Sequence, residues 1–280
     1  MTERPRVSIV TPARNSARFI EGCILNVAAQ DCTGIEHVII DGASSDATVS
    51  IIREYADRYP HIRWRSEHDR GPGDALNKGI SLARGPVVGL LMADDFYEQG
   101  VLARVREVFE PLPSPALAVA NCRVWGKDGK VLYVNRPERL RLSDLLLGWK
   151  VHQIPVNPSA YFYHKELHQR IGLFTDAPDF DIDFIFRAVQ AAYVVYVDEI
   201  WGNFRRLPGS VYQRELESGM AQVRRQATMR RYRRCLSLRE KIRFPFRSWY
   251  YSHWQASKRA WRDEGPFFKK AARSVKRLLS

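Results

Sequence analysis

The sequence predicts an α/β protein, a Rossmann-like, mostly parallel sheet flanked by helices, followed by a basic helical C-terminal appendage. Three observations predict it. Short apolar runs alternate with helix-periodic segments over the first hundred residues, the order in which β–loop–α units build a parallel sheet. The stretch Gly85 to Tyr97 has an apolar run opened by Gly85-Pro86 and closed by Asp94 and Asp95, as expected of a buried strand delivering two carboxylates to a sheet edge. From Ala221 onward the pattern changes to aromatic and basic residues at helical spacing.

In chain order, Arg6 to Val10 reads as a first strand ended by Thr11-Pro12, and Ala13 to about Gln30 as a helix with Phe19, Ile20, Cys23, Ile24 and Val27 on its apolar face. Glu36 to Ile40 is a second strand. The polar turn Asp41 to Thr48 leads into a helix from about Ala47 to Tyr59. Ile62 to Arg65 is a weaker strand, Asp69 to Gly73 a loop, and Asp74 to Ala83 a helix leading back to the Gly85 stretch. After Pro115 the order changes: Leu117–Val124 and Val131–Val134 flank Lys127-Asp128-Gly129-Lys130, a hairpin signal. Then come a helix near Lys165 to Ile171, a helical segment Phe184 to Val189 beside Asp181 and Asp183, and a last strand from Tyr193 to Val197.

A chain of 280 residues, 45% of them hydrophobic, suffices for one large domain, placed at 1–215, and an appendage at 216–280. The net charge of +13 belongs to the appendage. From residue 221 to 280 there are 18 Lys and Arg against 3 acids, net +15, which leaves 26 basic and 28 acidic residues, net −2, in 1–220. The four cysteines have no metal or redox spacing and read as reduced packing residues. With no signal-peptide core and no apolar run of membrane-spanning length, the expected location is the cytoplasm.

Chemistry concentrates where the strands end. Asp94 and Asp95 repel each other and need a compensating cation, a helix N-terminus or open water. A divalent metal carrying a phosphate is one reading, solvated turn residues before the helix near Glu98 the other. Asp41 can accept a hydrogen bond from a uracil imide or a ribose hydroxyl, with Gly42 permitting close approach, or it can cap the following helix, a role Asp46 would serve better. Asp74, Asn77 and Lys78 stand on the first turns of a helix behind a glycine loop, where they can face a phosphate or sugar with Arg70 as an extra cation; a plain capped loop explains them as well. Asp181 and Asp183 can supply a general base on a segment separate from the metal site, or be surface acids favoured by a helix dipole.

Together, Val7 to Asn15, Val38 to Asp46, Asp74 to Ile80 and Gly89 to Tyr97 resemble, in order and spacing, the successive signatures of the family 2 glycosyltransferases with the A-type nucleotide-sugar fold. The resemblance continues through Phe162 to Phe174 and Asp181 to Arg187, covering roughly residues 5–210. It implies that Thr11, Pro12, Ala13, Asn15 and Asp41 line a nucleoside pocket and that Asp74 and Asn77 approach the nucleotide or donor sugar. It also implies that Asp94 and Asp95 hold Mn²⁺ or Mg²⁺ on the diphosphate, with Asp95 the direct ligand. Asp181, with Asp183 as second choice, would deprotonate the acceptor hydroxyl for an inverting displacement on a nucleotide-diphosphate sugar, in the first place a UDP-sugar, with a glycan or lipid-linked glycan as acceptor.

Three positions depart from that pattern. Met92 stands where Asn is common and Asn157 where relatives carry His. Leu207 takes the place of a His near the pyrophosphate, leaving Arg206 to hold the diphosphate. In the tail, Phe246, Trp249, Tyr250, His253, Trp254 and Trp261 among basic residues, with Pro245 in a first turn, and a second segment from Phe267 to Leu278, form basic amphipathic helices. These helices either lie on an anionic membrane surface or pack on the catalytic domain. A non-catalytic nucleotide-sugar or nucleic-acid binder is the alternative class. It is disfavoured by the retained acids and by the lack of any nucleic-acid module. A nucleotidyltransferase ranks last, because Thr11 to Asn15 contains no glycine.

Overall fold

The computed structural model describes residues 5–263 apart from 149–151, 178, 211–212 and 215–216, with side chains up to Tyr251. The expected boundary at 215/216 and the segment from Phe267 to Leu278 lie outside the described residues.

Strands β1 (Val7–Ala13), β2 (Ile35–Asp41), β3 (Ile62–Ser66) and β4 (Val87–Leu90) pair in parallel in the order β3-β2-β1-β4. Every residue of β2 and β4 is buried, which is why these strands read as unbroken apolar runs. Helices α1 (Ile20–Ala28), α2 (Thr48–Arg58) and α3 (Pro72–Leu82) make the connections. Helix α1 buries Ile20, Cys23, Ile24 and Val27, the stripe its spacing predicts. Helix α3 lies so close to β1 that a Cβ on Gly79 would strike Val10.

Beyond β4 the sheet becomes mixed. Strand β8 (Tyr161–His164) runs antiparallel to β4 and to β6 (Ala116–Trp125). Strand β9 (Tyr193–Arg205) is parallel to β6, β5 (Phe96–Tyr97) antiparallel to β9, and β7 (Val131–Asn135) closes the expected hairpin with β6. Between them run α4 (Val101–Phe109), the short α5 (Leu142–Leu145), α6 (Leu167–Ile171) and α7 (Phe180–Ala188).

Four boundaries differ from expectation. Helix α1 starts at Ile20, not near Ala13, because β1 runs on to Ala13 and a loop follows it. Strand β1 continues through Thr11-Pro12 to Ala13, held by its parallel partner out to Asp41. Strand β9 runs eight residues past Val197, because the β6–β9 register shifts near Asn121 hide the two-residue period. Asn121 bridges that irregularity, donating to Asp198 at 2.9 Å and accepting from Tyr196 at 2.7 Å. In the tail, α8 (Met220–Arg233) is followed by α9 (Leu238–Asp263), and Pro245 lies inside α9 rather than in its first turn. Tyr232 and Leu236 are buried in the main core, with Phe244 packed against it, so this part of the tail docks on the domain. Among the described residues no helix is long and apolar enough to cross a membrane.

Candidate active site

The parallel register sets Ala13 beside Asp41 and Asp41 beside Ser66, so the loops after β1, β2 and β3 leave one sheet edge together. These loops are tied to one another. Asn15 takes a left-handed φ of 49°, donates its N–H to Ser44 Oγ at 2.8 Å and accepts from Ser45 N–H at 2.9 Å. Ala43 is also left-handed, at φ 55°, a conformation held by the surrounding bonds. Asp41 is fully buried and its carboxylate accepts from Ser44 N–H at 3.0 Å, from the Ser44 hydroxyl and from Ser66 Oγ at 2.6 Å. A Cβ at Gly42 would strike the Asp69 carboxylate, so Gly42 permits the approach of a neighbouring loop.

Thr11 belongs to the interior. The residue is fully buried and its hydroxyl bonds His37 Nε2 at 2.9 Å, so the side chain does not reach the cleft. Burial pushes His37 down to about 3, keeping that ring neutral. Pro12 is half-buried, Ala13 is buried, and the Ala13 carbonyl accepts from Gly42 N–H at 2.8 Å.

On α3, Asp74 accepts from Arg70 N–H at 3.2 Å and pairs with Lys78 at 3.3 Å. Burial raises its pKa, but the bonds from Arg70 and Lys78 outweigh that and hold the carboxyl below the usual range. Asn77 does not reach for a donor. Its amide donates to Phe174 O and accepts from Phe174 N–H, both at 2.9 Å, which uses both ends to fix the segment after α6. A Cβ on Gly73 would strike the Thr175 carbonyl, so the same segment covers the start of α3.

The acidic pair divides its labour differently from the expectation. Asp95 is 2% exposed, and its two oxygens are taken by Asn157 Nδ2 at 2.7 Å and Arg205 N–H at 3.0 Å. Asp94 is half-buried, and among the described residues no side-chain hydrogen bond reaches it. Burial pushes both carboxyls up, and for Asp95 the neighbouring Asp94 charge adds to the rise. Asp94 is therefore the carboxylate left open to a ligand, and Asp95 the one anchored to the scaffold.

Arg205, beside the Arg206 expected at the diphosphate, is a cation whose charge acts on this pair. It stands at the end of β9 with its guanidinium 4.6 Å from the centre of the Phe96 ring, and its charge favours ionisation of both acids. Arg206 donates its N–H to Trp125 O at 3.0 Å. The sequence marks Asn157 only as a departure from the family pattern, and it does not announce the bond from Asn157 to Asp95 or the part played by Arg205. The one local signal for Arg205 is the Arg205-Arg206 doublet at the end of β9.

Asp181 and Asp183 both lie in the first turn of α7, but with different surroundings. Asp181 accepts from the next residue's N–H at 2.8 Å; burial and then the Asp179 charge push its carboxyl up to about 6, against bonds to main-chain N–H groups and the Arg225 charge. Tyr161 on β8, the strand paired with β4, lies within its field. Asp183 is spent on structure. It is 4% exposed and accepts from Arg187 Nε at 2.8 Å, from Tyr232 OH at 2.7 Å and from Arg231. These bonds tie α7 to α8, and Asp179 adds another by accepting from Thr228 Oγ1 at 2.6 Å.

A divalent ion fits the Asp94–Asp95 corner. Burial pushes both carboxyls up even with the Arg205 charge beside them, so a further cation would stabilise their ionised forms, and among the described residues no group of three His, Cys, Asp or Glu could close a cage. The protein would supply one or two carboxylates and leave the remaining positions to phosphate and water, as Mg²⁺ and Mn²⁺ sites on nucleotides do.

The profile of glycosyl transferase family 2 matches residues 8–169. Among curated proteins, the chain is 31% identical to a chondroitin synthase of Escherichia coli over 128 residues, covering 46% of this chain and 19% of that protein. It is 38% identical to a PGL/p-HBAD biosynthesis glycosyltransferase of Mycobacterium bovis over 106 residues (36% and 40%). It is 34% identical to the succinoglycan biosynthesis protein ExoO of Rhizobium meliloti over 145 residues (51% and 41%). The matched part thus spans about a fifth to two fifths of the length of these relatives. Among solved structures, it resembles S. aureus TarS 1-349 in complex with UDP-GlcNAc, with a TM-score of 0.61 and 18% identity over 73% of this chain and 60% of that one. It also resembles the mannosyltransferase PcManGT of Pyrobaculum calidifontis in complex with GDP-Man and Mn²⁺, with a TM-score of 0.61 and 20% identity over 99% of this chain and 81% of that one. Those likenesses show the A-type glycosyltransferase fold. With four motifs in order on one sheet edge and a profile match across more than half its length, the chain belongs to glycosyl transferase family 2.

Proposed function

We propose that the protein is an inverting, metal-dependent glycosyltransferase that moves a sugar from a nucleotide-diphosphate sugar, a UDP-sugar in the first place, to a hydroxyl of a glycan or lipid-linked glycan in polysaccharide assembly at the cytoplasmic membrane face. The observation that carries this is the Asp94–Asp95 couple just past β4 together with a separate carboxylate, Asp181, raised to about 6, whose charge acts on Tyr161 of the neighbouring strand β8. The nucleotide complexes of TarS and PcManGT, and the Mn²⁺ in the latter, support the donor class.

Asp94 would hold Mn²⁺ or Mg²⁺, with Asp95 behind it kept in place by Asn157 and the Arg205 main chain. The bound ion would supply Lewis-acid stabilisation of the departing diphosphate. Arg205 adds positive charge at the same place. Asn15 and half-buried Pro12 would line the nucleoside wall, with Thr11, Ala13 and Asp41 buried behind them. At neutral pH Asp181 is mostly ionised and can take the acceptor hydroxyl proton as that oxygen bonds the anomeric carbon. The bond from that carbon to the diphosphate breaks, its electron pair leaving with the nucleotide.

The test is calorimetry of UDP-, GDP- and dTDP-sugars, with and without Mn²⁺, on the wild type, Asp94→Ala and Asp95→Ala. Metal-dependent binding of one nucleotide, lost in Asp94→Ala, is expected. Folded protein that binds none of them overturns the reading.

A further inference from the structure

Helix α9 has two faces. Glu240, Phe244, Arg247 and Tyr251, spaced by four, three and four residues, turn toward the domain. Phe244 packs on the core, Arg247 bonds Asp144, and the Tyr251 ring centre lies 5.4 Å from that of His152. Leu238, Ile242, Phe246 and Trp249, spaced by four, four and three, turn the other way and are 76, 61, 68 and 59% exposed. Isolated apolar side chains on a surface are ordinary, but four aligned over three turns of one helix are not.

Charge says what covers this stripe. Arg239, Lys241 and Arg243, all exposed, flank it. Residues 220–251 carry ten Lys and Arg and one acid, Glu240, whose carboxylate accepts from Ser237 Oγ at 2.8 Å. We propose that this outer face of α9 docks the chain flat on an anionic membrane surface, the apolar stripe in the interface and the cations on the lipid head groups. A second copy of the chain fits less well, because pairing two such faces opposes their basic rims. A nucleic acid would leave four large apolar side chains with no partner among phosphates.

The docking places the active site. Helix α8, four residues ahead of α9, holds Asp179 through Thr228 and Asp183 through Arg231 and Tyr232, and Asp181 lies between those two anchors. The membrane contact is thus coupled to the helix that carries the base, which suits a lipid-anchored acceptor. That last step rests on the proposed function; the docking itself does not.

The experiment is co-sedimentation of the full chain with vesicles of phosphatidylcholine alone and of equal parts phosphatidylcholine and phosphatidylglycerol. Wild type, Ile242→Ser/Phe246→Ser and Lys241→Ala/Arg243→Ala are compared, with nucleotide binding measured on the same samples. These residues are exposed, so the variants should fold. Pelleting confined to the anionic vesicles is expected, weakened roughly tenfold or more by the apolar pair. The charge pair should weaken it by a smaller factor that vanishes at high salt. Four results overturn the proposal: no pelleting, pelleting unchanged in the apolar pair, self-association in solution abolished by the apolar pair, or salt-sensitive retention on RNA in its place. Loss of nucleotide binding without loss of pelleting would count against the donor reading instead.

Discussion

Replacing Asp183 by Asn separates the two carboxylates of α7. Asp183 is buried and receives three donors. Arg231 is 59% exposed at its side chain, so solvent screens that pair and it contributes little. The Arg187 side chain is 18% exposed, and losing its buried partner is the main cost, softened because its guanidinium still donates to Ile171, Gly172 and Leu173 carbonyls. The Tyr232 hydroxyl loses a charged acceptor but can keep a neutral one. Charged hydrogen bonds are worth about 1.5–3 kcal/mol each, which puts the loss near ~2–4 kcal/mol. For a chain of this size that lowers the melting temperature by roughly 5–15 °C. It should also loosen α8, so that trypsin cuts faster at Arg224 and Arg225. Thermal melts and timed proteolysis measure both, and donor binding should persist. An unshifted melt together with collapsed turnover would refute the reasoning and return Asp183 to the role of base.

Asp181→Asn should do the reverse, keeping the melting temperature and nucleotide affinity while lowering turnover about 10²–10⁴-fold. Because the carboxylate is the active form and its pKa is raised to about 6, wild-type turnover at saturating donor should fall as pH drops through that value, by roughly tenfold from pH 7 to pH 5. A flat profile over that range sinks the assignment. Loss of metal-dependent donor affinity in acid reports Asp94 and Asp95 separately, since their raised values place their protonation above the ordinary carboxylate range. Asn77→Ala should cost about 1–3 kcal/mol of stability by freeing the Phe174 main chain, with donor affinity unchanged; the opposite pattern would restore it as a donor contact. Under native conditions a thiol reagent should label exposed Cys235 first and leave Cys23, which burial pushes up to about 12, and Cys122 untouched. Fast labelling of Cys23 would mean the β1–α1 core is open.

The donor half was legible because its strands are short, buried on both faces and separated by helices whose apolar stripes are unbroken. Asn15, Asp41 and the acidic pair could be located from strand ends, since parallel pairing puts those ends on one edge, and Asp74 from the glycine loop that opens α3. Side-chain direction could not. Thr11 lies within β1, not beyond it, and the alternation of that strand turns its hydroxyl into the core toward His37. Asn77 meets Phe174, 97 residues away, a partner no local pattern announces. Arg205, whose charge acts on the acidic pair, went unannounced because the irregularity that extends β9 hides which residues at its end reach Phe96.

The Asp181–Asp183 choice shows how a helix resolves what a motif leaves open. Two residues apart on a strand they would share a face, and either could serve as base. On a helix the same spacing turns them to nearly opposite sides. One of them must then look away from the cleft, and the tail decides which, since α8 brings Arg231 and Tyr232 to the far side and claims Asp183. The appendage, which by charge alone looked separable from the catalytic domain, thereby fixes the orientation of the helix that presents Asp181. A chain cut before α8 should lose the anchors on both Asp179 and Asp183 at once, and with them the orientation of Asp181, the proposed base, between them.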